Sequence, residues 1–125
     1  MSERSAFWAD HEAAMADPEY RHHFILESRR VAAVDAIVNT LDEIREQQGL
    51  SKAELARAVE RDPAVVRRLL TAQQVNPSLG MVADLAMALG YEMVLSPLSE
   101  ADLDAVTRPL RELAIAARRG SAAPA

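Results

Sequence analysis

The segment from Gly49 to Gly90 carries start and stop signals for three short helices in close succession. Ser51 followed by Glu54 is the pattern of a capping box, which predicts that a helix begins at Lys52. Asp62-Pro63 supplies a side-chain acceptor at an N-cap and a proline at the first helical position, so it predicts a second helix. A third helix follows after a polar break. Helices this short cannot bury an apolar stripe alone, so we expect them to pack on each other and on the helix before Gly49.

Apolar residues recur at helical spacing inside each of the three predicted helices. The predicted core positions are Leu55, Ala56 and Val59, then Val66, Leu69 and Leu70, then Leu79, Val82, Leu85, Ala86 and Leu89. Ser78 is placed to cap the third helix, and Gly90 is placed to end it in the left-handed conformation. Arg67 and Arg68 fall off the apolar side of the second helix, and we therefore expect them to be exposed.

This order of caps and core positions resembles the Xre/Cro-repressor family of bacterial and phage regulators. The matching residues are Gly49-Leu50-Ser51, Glu54-Leu55-Ala56, Val66, Leu69, Asn76-Pro77-Ser78-Leu79, Ala86 and Leu89-Gly90. The resemblance implies an all-α fold containing a helix-turn-helix, whose second helix enters the major groove of double-stranded DNA. It also implies a sequence-specific repressor of transcription.

The sequence departs from the family pattern near the second helix. Glu60 stands where the family usually has glycine, at a position that often needs a positive φ, and it costs about 1 kcal/mol there. Arg61 replaces a small apolar residue, and Val75 lengthens the loop before Asn76. Pro63-Ala64-Val65-Val66 takes the place of the polar residues that are common on the family's recognition helix.

The predicted DNA-binding residues lie on or near this second helix. They are Lys52, Ala64, Val65, Arg67, Arg68, Thr71, Gln73 and Gln74. Arginine presents a bidentate fork to guanine O6 and N7, whereas Ala64 or Val65 can contact a thymine methyl group. Lys52 begins a helix whose free amides also attract phosphate. The competing interpretation is that Arg67 and Arg68 are ordinary solvated arginines.

The remainder of the chain is predicted to be helical except for one short strand. We expect a helix over residues 5–16, a long helix from Asp17-Pro18 to the residues before Gly49, a dimerising strand over Tyr91–Leu95, and a last helix that Pro109 kinks or splits. This last helix buries Leu103, Val106, Leu110, Leu113 and Ala117. The predicted divisions are an N-terminal helical extension (1–33), a helix-turn-helix DNA-binding domain (34–90), a strand with a C-terminal helix (91–120) and a disordered tail (121–125).

Composition argues against an enzyme. The 125 residues include no cysteine and only three histidines, and no nucleophile elbow, phosphate loop or zinc spacing occurs. We expect no metal and no cofactor. Asp42, Glu43 and Glu46 are interpreted as a solvated helix face.

Charge is uneven along the chain. The net charge is −5, yet residues 51–75 carry five basic and three acidic side chains, so the rest of the chain is clearly acidic. An acidic body with a basic reading helix is compatible with DNA binding, because phosphates sense the local field within about 10 Å. Weak affinity of a monomer leads us to expect a homodimer.

More narrowly, the chain looks like HigA-type antitoxins, through the DPEYRHHF segment, the helix-turn-helix and the YEMVL segment that follows. That resemblance implies a basic ribonuclease toxin as partner in a type II toxin–antitoxin pair, with repression of their shared operon. Asp10, Glu12, Asp17 and Glu19, near Phe7 and Trp8, suit a basic partner. We expect a cytoplasmic, nucleoid-associated protein with no membrane span. The alternatives are a stand-alone regulator and a protein-interaction module with weak or no DNA binding.

Overall fold

The computed structural model of the protein describes residues 3–71 and 76–121. The α-helices are α1 (Glu3–Ala14), α2 (Pro18–Gln47), α3 (Lys52–Ala58), α4 (Pro63–Thr71), α5 (Leu79–Ala88), α6 (Glu100–Asp102) and α7 (Arg108–Ser121). A π-helical turn over Leu103–Thr107 joins α6 to α7. The predicted order of the helices is therefore confirmed, as are their predicted starts except that of α1, which runs two residues earlier than the predicted 5–16.

The chain divides into two compact units. Residues 31–96 form one unit, and residues 1–30 together with 97–125 form the other, so the boundary falls inside α2. The first of these, here the central unit, holds α3, α4 and α5 and the second half of α2. The other, here the terminal unit, holds α1, the first half of α2, α6 and α7.

The core of the central unit is formed by apolar side chains from all four of its helical segments. The buried members are Val38, Leu41, Leu55, Ala56, Val66, Leu69, Leu70, Met81, Val82, Leu85, Ala86 and Leu89. Leu55, Val66 and Leu85, one from each short helix, are completely buried. No short helix buries a stripe by itself, and each shares its apolar side with the others, as the sequence predicts.

Leu79 is an error of the prediction. The pattern placed it in the core, but its side chain is 75% exposed in the first turn of α5. Helical spacing defines a face without fixing how far that face is covered, and burial in α5 begins at Met81 and Val82, after its first residue.

Three helices of the central unit end in the same way. The residue after the C-cap is left-handed in each, with φ of 72° at Gly49, 56° at Glu60 and 89° at Gly90. At Gly90 the next amide, of Tyr91, donates to the Ala86 carbonyl at 2.8 Å, and equivalent bonds follow Gly49 and Glu60. These are Schellman motifs, which satisfy the last carbonyls of each helix and turn the chain sharply.

Glu60 is the position where this backbone conformation is strained. A side chain in the left-handed region costs about 1–2 kcal/mol, whereas glycine adopts it freely. The positive φ expected at Glu60 from the family pattern is confirmed.

The connection between α2 and α3 is held by a buried arginine that the sequence did not reveal. Arg45 is 8% exposed, and its guanidinium donates to Asp42 Oδ1 at 2.9 Å and to the Leu50 carbonyl at 2.7 Å. Asp42 is half-buried by this contact, so the interpretation of Asp42 as part of a solvated face was wrong. A second hydrogen bond links the residue after α2 to the residue after α5: Gln48 Nε2 donates to the Leu89 carbonyl at 2.7 Å.

The predicted strand over Tyr91–Leu95 is not seen; no strand occurs among residues 3–71 and 76–121. The segment has strand-forming side chains, but a strand is defined by a hydrogen-bonded neighbour, and the described chain supplies none. Val94 and Leu95 are 76% and 103% exposed.

The last helical segment of the terminal unit is divided at Pro109, as predicted. The Arg108 amide donates to the Leu103 carbonyl five residues earlier, which is the bond of a π-helix. Pro109 has no N–H and its ring conflicts with the carbonyl four residues before it, so the regular helical ladder is interrupted there. Val106 is buried and Leu110 and Leu113 are half-buried, but Leu103 and Ala117 are exposed, contrary to the prediction.

Of the predicted disordered tail (121–125), Ser121 is the last residue of α7, and residues 122–125 lie outside the described part of the chain.

The left-handed turns lead to opposite expectations for two substitutions. Glu60→Gly should raise the free energy of unfolding by about 1 kcal/mol, because it removes backbone strain. Gly90→Val should lower it by about 1–2 kcal/mol, although an added Cβ meets no atom within 4 Å, because a β-branched residue disfavours positive φ. Urea unfolding followed by circular dichroism measures both.

Gly80→Ala serves as the control for that pair. Gly80 lies inside α5 with open space around it, so alanine should stabilise by about 0.5–1 kcal/mol through helix propensity. A Gly90→Val protein as stable as wild type would contradict the role of the left-handed turn.

Candidate nucleic-acid interface

Helix α4 owes its orientation to one buried side. Val66, Leu69 and Leu70 are buried in the core of the central unit. At 100° per residue, Ala64, Arg68 and Thr71 then lie within about 35° of the opposite direction. Arg67 and Val65 lie on the two flanks of this outward face.

The start of α4 is fixed by Asp62 and Pro63. Asp62 Oδ1 accepts the Ala64 amide at 2.8 Å, which is the predicted N-cap contact. The proline follows at the first helical position, where its missing N–H costs nothing. The cap also places a carboxylate at the N-terminus of the helix, next to Ala64.

Arg67 and Arg68 are both exposed. Within residues 3–71 and 76–121, neither side chain forms a hydrogen bond or an ion pair. Their guanidinium donors therefore meet solvent, as predicted. Arg68 also lines a shallow groove with Val65 and with the segment Asn76–Ser78, which precedes α5.

The other cations of this region lie in different surroundings. Arg61 pairs with Asp84 of α5 at 3.3 Å, which ties α5 to the residue between α3 and α4. Lys52 is half-buried and begins α3. Arg57 is exposed on α3, and its charge helps to lower the pKa of the Glu54 carboxyl. Arg67 and Arg68 are thus the two exposed cations that α4 itself carries.

The N-terminus of α3 is largely satisfied internally. Ser51 Oγ accepts the Glu54 amide at 3.0 Å, and Glu54 Oε1 accepts the Ser51 amide at 2.9 Å. This reciprocal pair is the predicted capping box. Because the Glu54 carboxylate already lies at this helix end, the Lys52 ammonium is the group there that favours a phosphate.

The remaining predicted residues differ in what they offer. Ala64 is half-buried and Val65 is 39% exposed, so only Val65 presents substantial apolar surface. Thr71 is exposed, but its hydroxyl donates to the Arg67 carbonyl at 2.6 Å. A phosphate oxygen needs a donor, so the engaged Thr71 proton makes this residue a weaker candidate. Gln73 and Gln74 lie outside the described residues.

Asn76 was missed by the sequence analysis as a candidate site residue. It is exposed and lines the groove beside Arg68. Its place in the Asn-Pro-Ser-Leu turn was visible in the sequence, but there the turn indicated a helix start and nothing about a groove. Its carboxamide offers both donors and acceptors next to the reading helix.

Part of the chain is similar to a known domain family. Residues 36–95 match a family model described as a helix-turn-helix domain. This match covers most of the central unit and supports a helix-turn-helix domain in that part of the chain. No curated protein and no solved structure matches the chain.

The described residues contain neither a candidate metal site nor a helix suited to span a membrane. No group of three or more histidine, aspartate or glutamate side chains there is arranged to hold a metal ion. None of the helices in that part of the chain has both the length and the apolar character needed to cross a membrane.

The capping box makes a pH-dependent contribution to stability. Hydrogen bonds from the Ser51 backbone and then its side chain lower the pKa of Glu54. A lowered folded-state pKa gives stability that is complete above the ordinary glutamate pKa and is lost as pH falls through the lowered value. Glu54→Gln keeps an acceptor without titrating, so the wild type should exceed it in free energy of unfolding at neutral pH, and the difference should shrink in acid. Urea unfolding across this pH range measures the difference.

Ser51→Ala provides the second arm of that experiment. It removes the side-chain partner and leaves the backbone amide, so the pH-dependent difference between glutamate and glutamine at position 54 should decrease. A difference that is the same at every pH would contradict the assignment to the capping box.

Proposed function

We propose that this protein is a sequence-specific DNA-binding regulator that presents α4 to the major groove. One observation carries the proposal: burial of Val66, Leu69 and Leu70 turns two arginines outward that have no partner in the described chain. The helix-turn-helix family match supports the same class of function. A recognition helix with its donors already directed outward needs no rearrangement to meet base edges.

The two arginines are given different roles. Arg68 lies close to the middle of the outward face, so we propose that it reads guanine O6 and N7 through its bidentate fork. Arg67 lies on a flank of α4, where a phosphate of the groove wall is the nearer ligand. Val65 supplies apolar surface for a thymine methyl group, and Lys52 supplies a second phosphate contact.

The charge of the protein indicates that a single copy of α4 would bind DNA too weakly. The net charge of −5 opposes approach to DNA, and Asp62 adds a carboxylate at the start of α4. Two copies that read two half-sites double the favourable contacts at fixed spacing. We therefore propose a homodimer in which the exposed segment Tyr91–Leu95 meets its copy, which would cover Val94 and Leu95.

DNA binding is tested by alanine substitution. The probe is the DNA upstream of the protein's own gene, and fluorescence anisotropy measures Kd. Arg68→Ala should weaken binding about tenfold and reduce discrimination between guanine and its replacements at one position of each half-site. Arg67→Ala should weaken binding to all sequences alike and lower the salt dependence by about one counterion per site.

Arg30→Ala with Arg111→Ala is the matched control. Both residues are exposed on helices of the terminal unit, and the pair removes two positive charges, as Arg67→Ala with Arg68→Ala does. The control should bind almost as wild type. Equal weakening by both pairs would mean that total charge alone governs binding, and an unchanged Kd for Arg68→Ala would overturn its role in base reading.

The dimer is tested by sedimentation at micromolar concentration. The wild type should sediment as a dimer, and Val94→Asp with Leu95→Asp should sediment as a monomer, because each copy would bring uncompensated carboxylates to the interface. Met87→Asp changes another exposed apolar residue, whose side chain is 63% exposed, and this variant should remain dimeric. A monomeric wild type would remove the dimer from the proposal while leaving the role of Arg68 to be judged by the DNA assay.

A finer proposal follows from the resemblance to HigA-type antitoxins. In it, the protein binds a basic ribonuclease toxin and represses the operon that encodes both. The exposed carboxylates Asp10, Glu12, Asp17 and Glu19 support a basic partner. A small basic reading frame beside this gene is the discriminating observation.

The competing proposal is a protein-interaction module derived from the same fold. The carboxylate of Asp62 beside the reading helix and the exposed Val65 favour it. Failure of the wild type to bind its upstream DNA at low salt would select this alternative.

A further inference from the structure

Four aromatic rings gather around one imidazole on the surface of the terminal unit. Phe7, Trp8 and His11 come from α1, and Tyr20 and Phe24 come from α2. The ring centre of His11 lies 4.6 Å from that of Phe24, 5.9 Å from that of Trp8 and 6.0 Å from that of Tyr20. His11 Nδ1 is also 3.2 Å from the Tyr20 hydroxyl oxygen. These five residues are here called the aromatic cluster.

The aromatic cluster leaves much of its ring surface exposed. Phe7 is 63% exposed and Trp8 52%, whereas Tyr20 and Phe24 are 40% and 41% exposed. Phe7 and Trp8 thus leave more than half of their surface in solvent, although burial is what makes contacts that only fasten α1 to α2 stabilising. A contiguous exposed aromatic patch is instead characteristic of an interaction surface, where rigid rings act as anchors.

The segment that carries most of the aromatic cluster is rich in carboxylates. Residues 5–20 include four acidic side chains and neither lysine nor arginine. Asp10 lies three residues from Phe7 and Glu12 four residues from Trp8, which makes them neighbours on the helix surface. Asp10, Glu12, Asp17 and Glu19 are exposed, and none forms an ion pair within the described residues. Arg21, the next cation along the chain, is paired with Glu112 at 3.6 Å.

Exposed aromatic rings beside carboxylates that form no ion pair in the described residues favour one kind of binding partner. Aromatic faces attract guanidinium and ammonium groups, and neighbouring carboxylates add a longer-range attraction for the same groups. A second copy of this surface would bring four more negative charges against the first four. We propose that the aromatic cluster docks a protein partner through an arginine- or lysine-rich surface that also presents apolar side chains. The proposal does not require DNA binding; it assigns a surface to the basic partner of the proposed function.

Trp8 makes the proposal directly testable, because it is the only tryptophan of the sequence and lies within the cluster. The probe is a short synthetic peptide that alternates arginine and leucine, titrated into the full-length protein while Trp8 emission is recorded. The emission should change saturably. The same peptide with glutamate in place of arginine should leave it unchanged.

Two variants separate the aromatic from the electrostatic contribution. Phe7→Ala keeps the reporter and should weaken peptide binding about fivefold or more, through loss of a cation–π anchor. Asp10→Asn with Glu12→Gln should also weaken it severalfold at low salt, with a smaller effect as salt rises. Because this second variant preserves the rings, it tests the proposal even if Phe7→Ala disturbs α1, which circular dichroism reports.

Matched controls lie elsewhere on the chain. Leu79→Ala truncates a comparably exposed apolar residue of the central unit, and Glu43→Gln with Glu92→Gln removes two exposed charges of the same unit, away from the cluster. Both should bind the peptide as wild type. Arg67→Ala with Arg68→Ala should do so too, so a failure of DNA reading and a failure of this proposal are distinguishable.

Three results would overturn the proposal. The first is equal binding of the glutamate peptide, or no binding of either peptide. The second is weakening by charge removal with no effect of Phe7→Ala, which would reduce the site to general electrostatics. The third is a change of Trp8 emission with protein concentration alone, because the surface would then be an interface between copies of this chain.

Discussion

Burial of one side of α4 is the constraint on which the DNA-reading proposal depends. Val66 is completely buried, and Leu69 and Leu70 are nearly so. Each buried methylene contributes roughly 1 kcal/mol, so rotating this helix about its axis would expose several kcal/mol of apolar surface. The core therefore decides which side chains meet solvent. Arg67 and Arg68 are exposed because the positions between Val66 and Leu69 have no other direction available.

The short helices are positioned by their ends as well as by their core. Left-handed turns at Gly49, Glu60 and Gly90 reverse the chain after α2, α3 and α5, and each turn also satisfies carbonyls at a helix end. Arg45 at the first turn and the Arg61–Asp84 pair near the second fix how neighbouring helices leave these turns. Arg61 is thus one of the five cations of residues 51–75 whose charge contributes to the fold.

The features that the sequence predicted well are those that depend on local signals. Ser51 with Glu54, Asp62 with Pro63, and Ser78 each specify a helix start through atoms within three residues, so no tertiary knowledge was needed. The positive φ at Glu60 and Gly90 follows from the same short-range logic. The exposure of Arg67 and Arg68 required only the helical period. The candidate site was predictable to the extent that it depends on helix caps, left-handed turns and the helical period.

The failures of prediction depend on neighbours that a sequence does not display. Leu79 carries the right period, but it is the first residue of α5 and most of its side chain stays exposed. Tyr91–Leu95 has strand-forming residues without a strand to pair with. Nothing in the spacing of Arg45 reveals that the Leu50 carbonyl turns back toward it. Of the aromatic cluster, only Phe7 and Trp8 were singled out from the sequence, since the contact between α1 and α2 that brings His11 to Phe24 is tertiary.

The two proposed surfaces are related through charge. Phosphate opposes an acidic protein, and four of the uncompensated carboxylates belong to the terminal unit, around the aromatic cluster. A basic protein bound there would lower the net negative charge that accompanies α4 to the DNA. The attraction between Arg67 and phosphate would remain, while the long-range repulsion would decrease. Electrostatics alone thus favours positive coupling between the partner and DNA, and this coupling should weaken as salt rises.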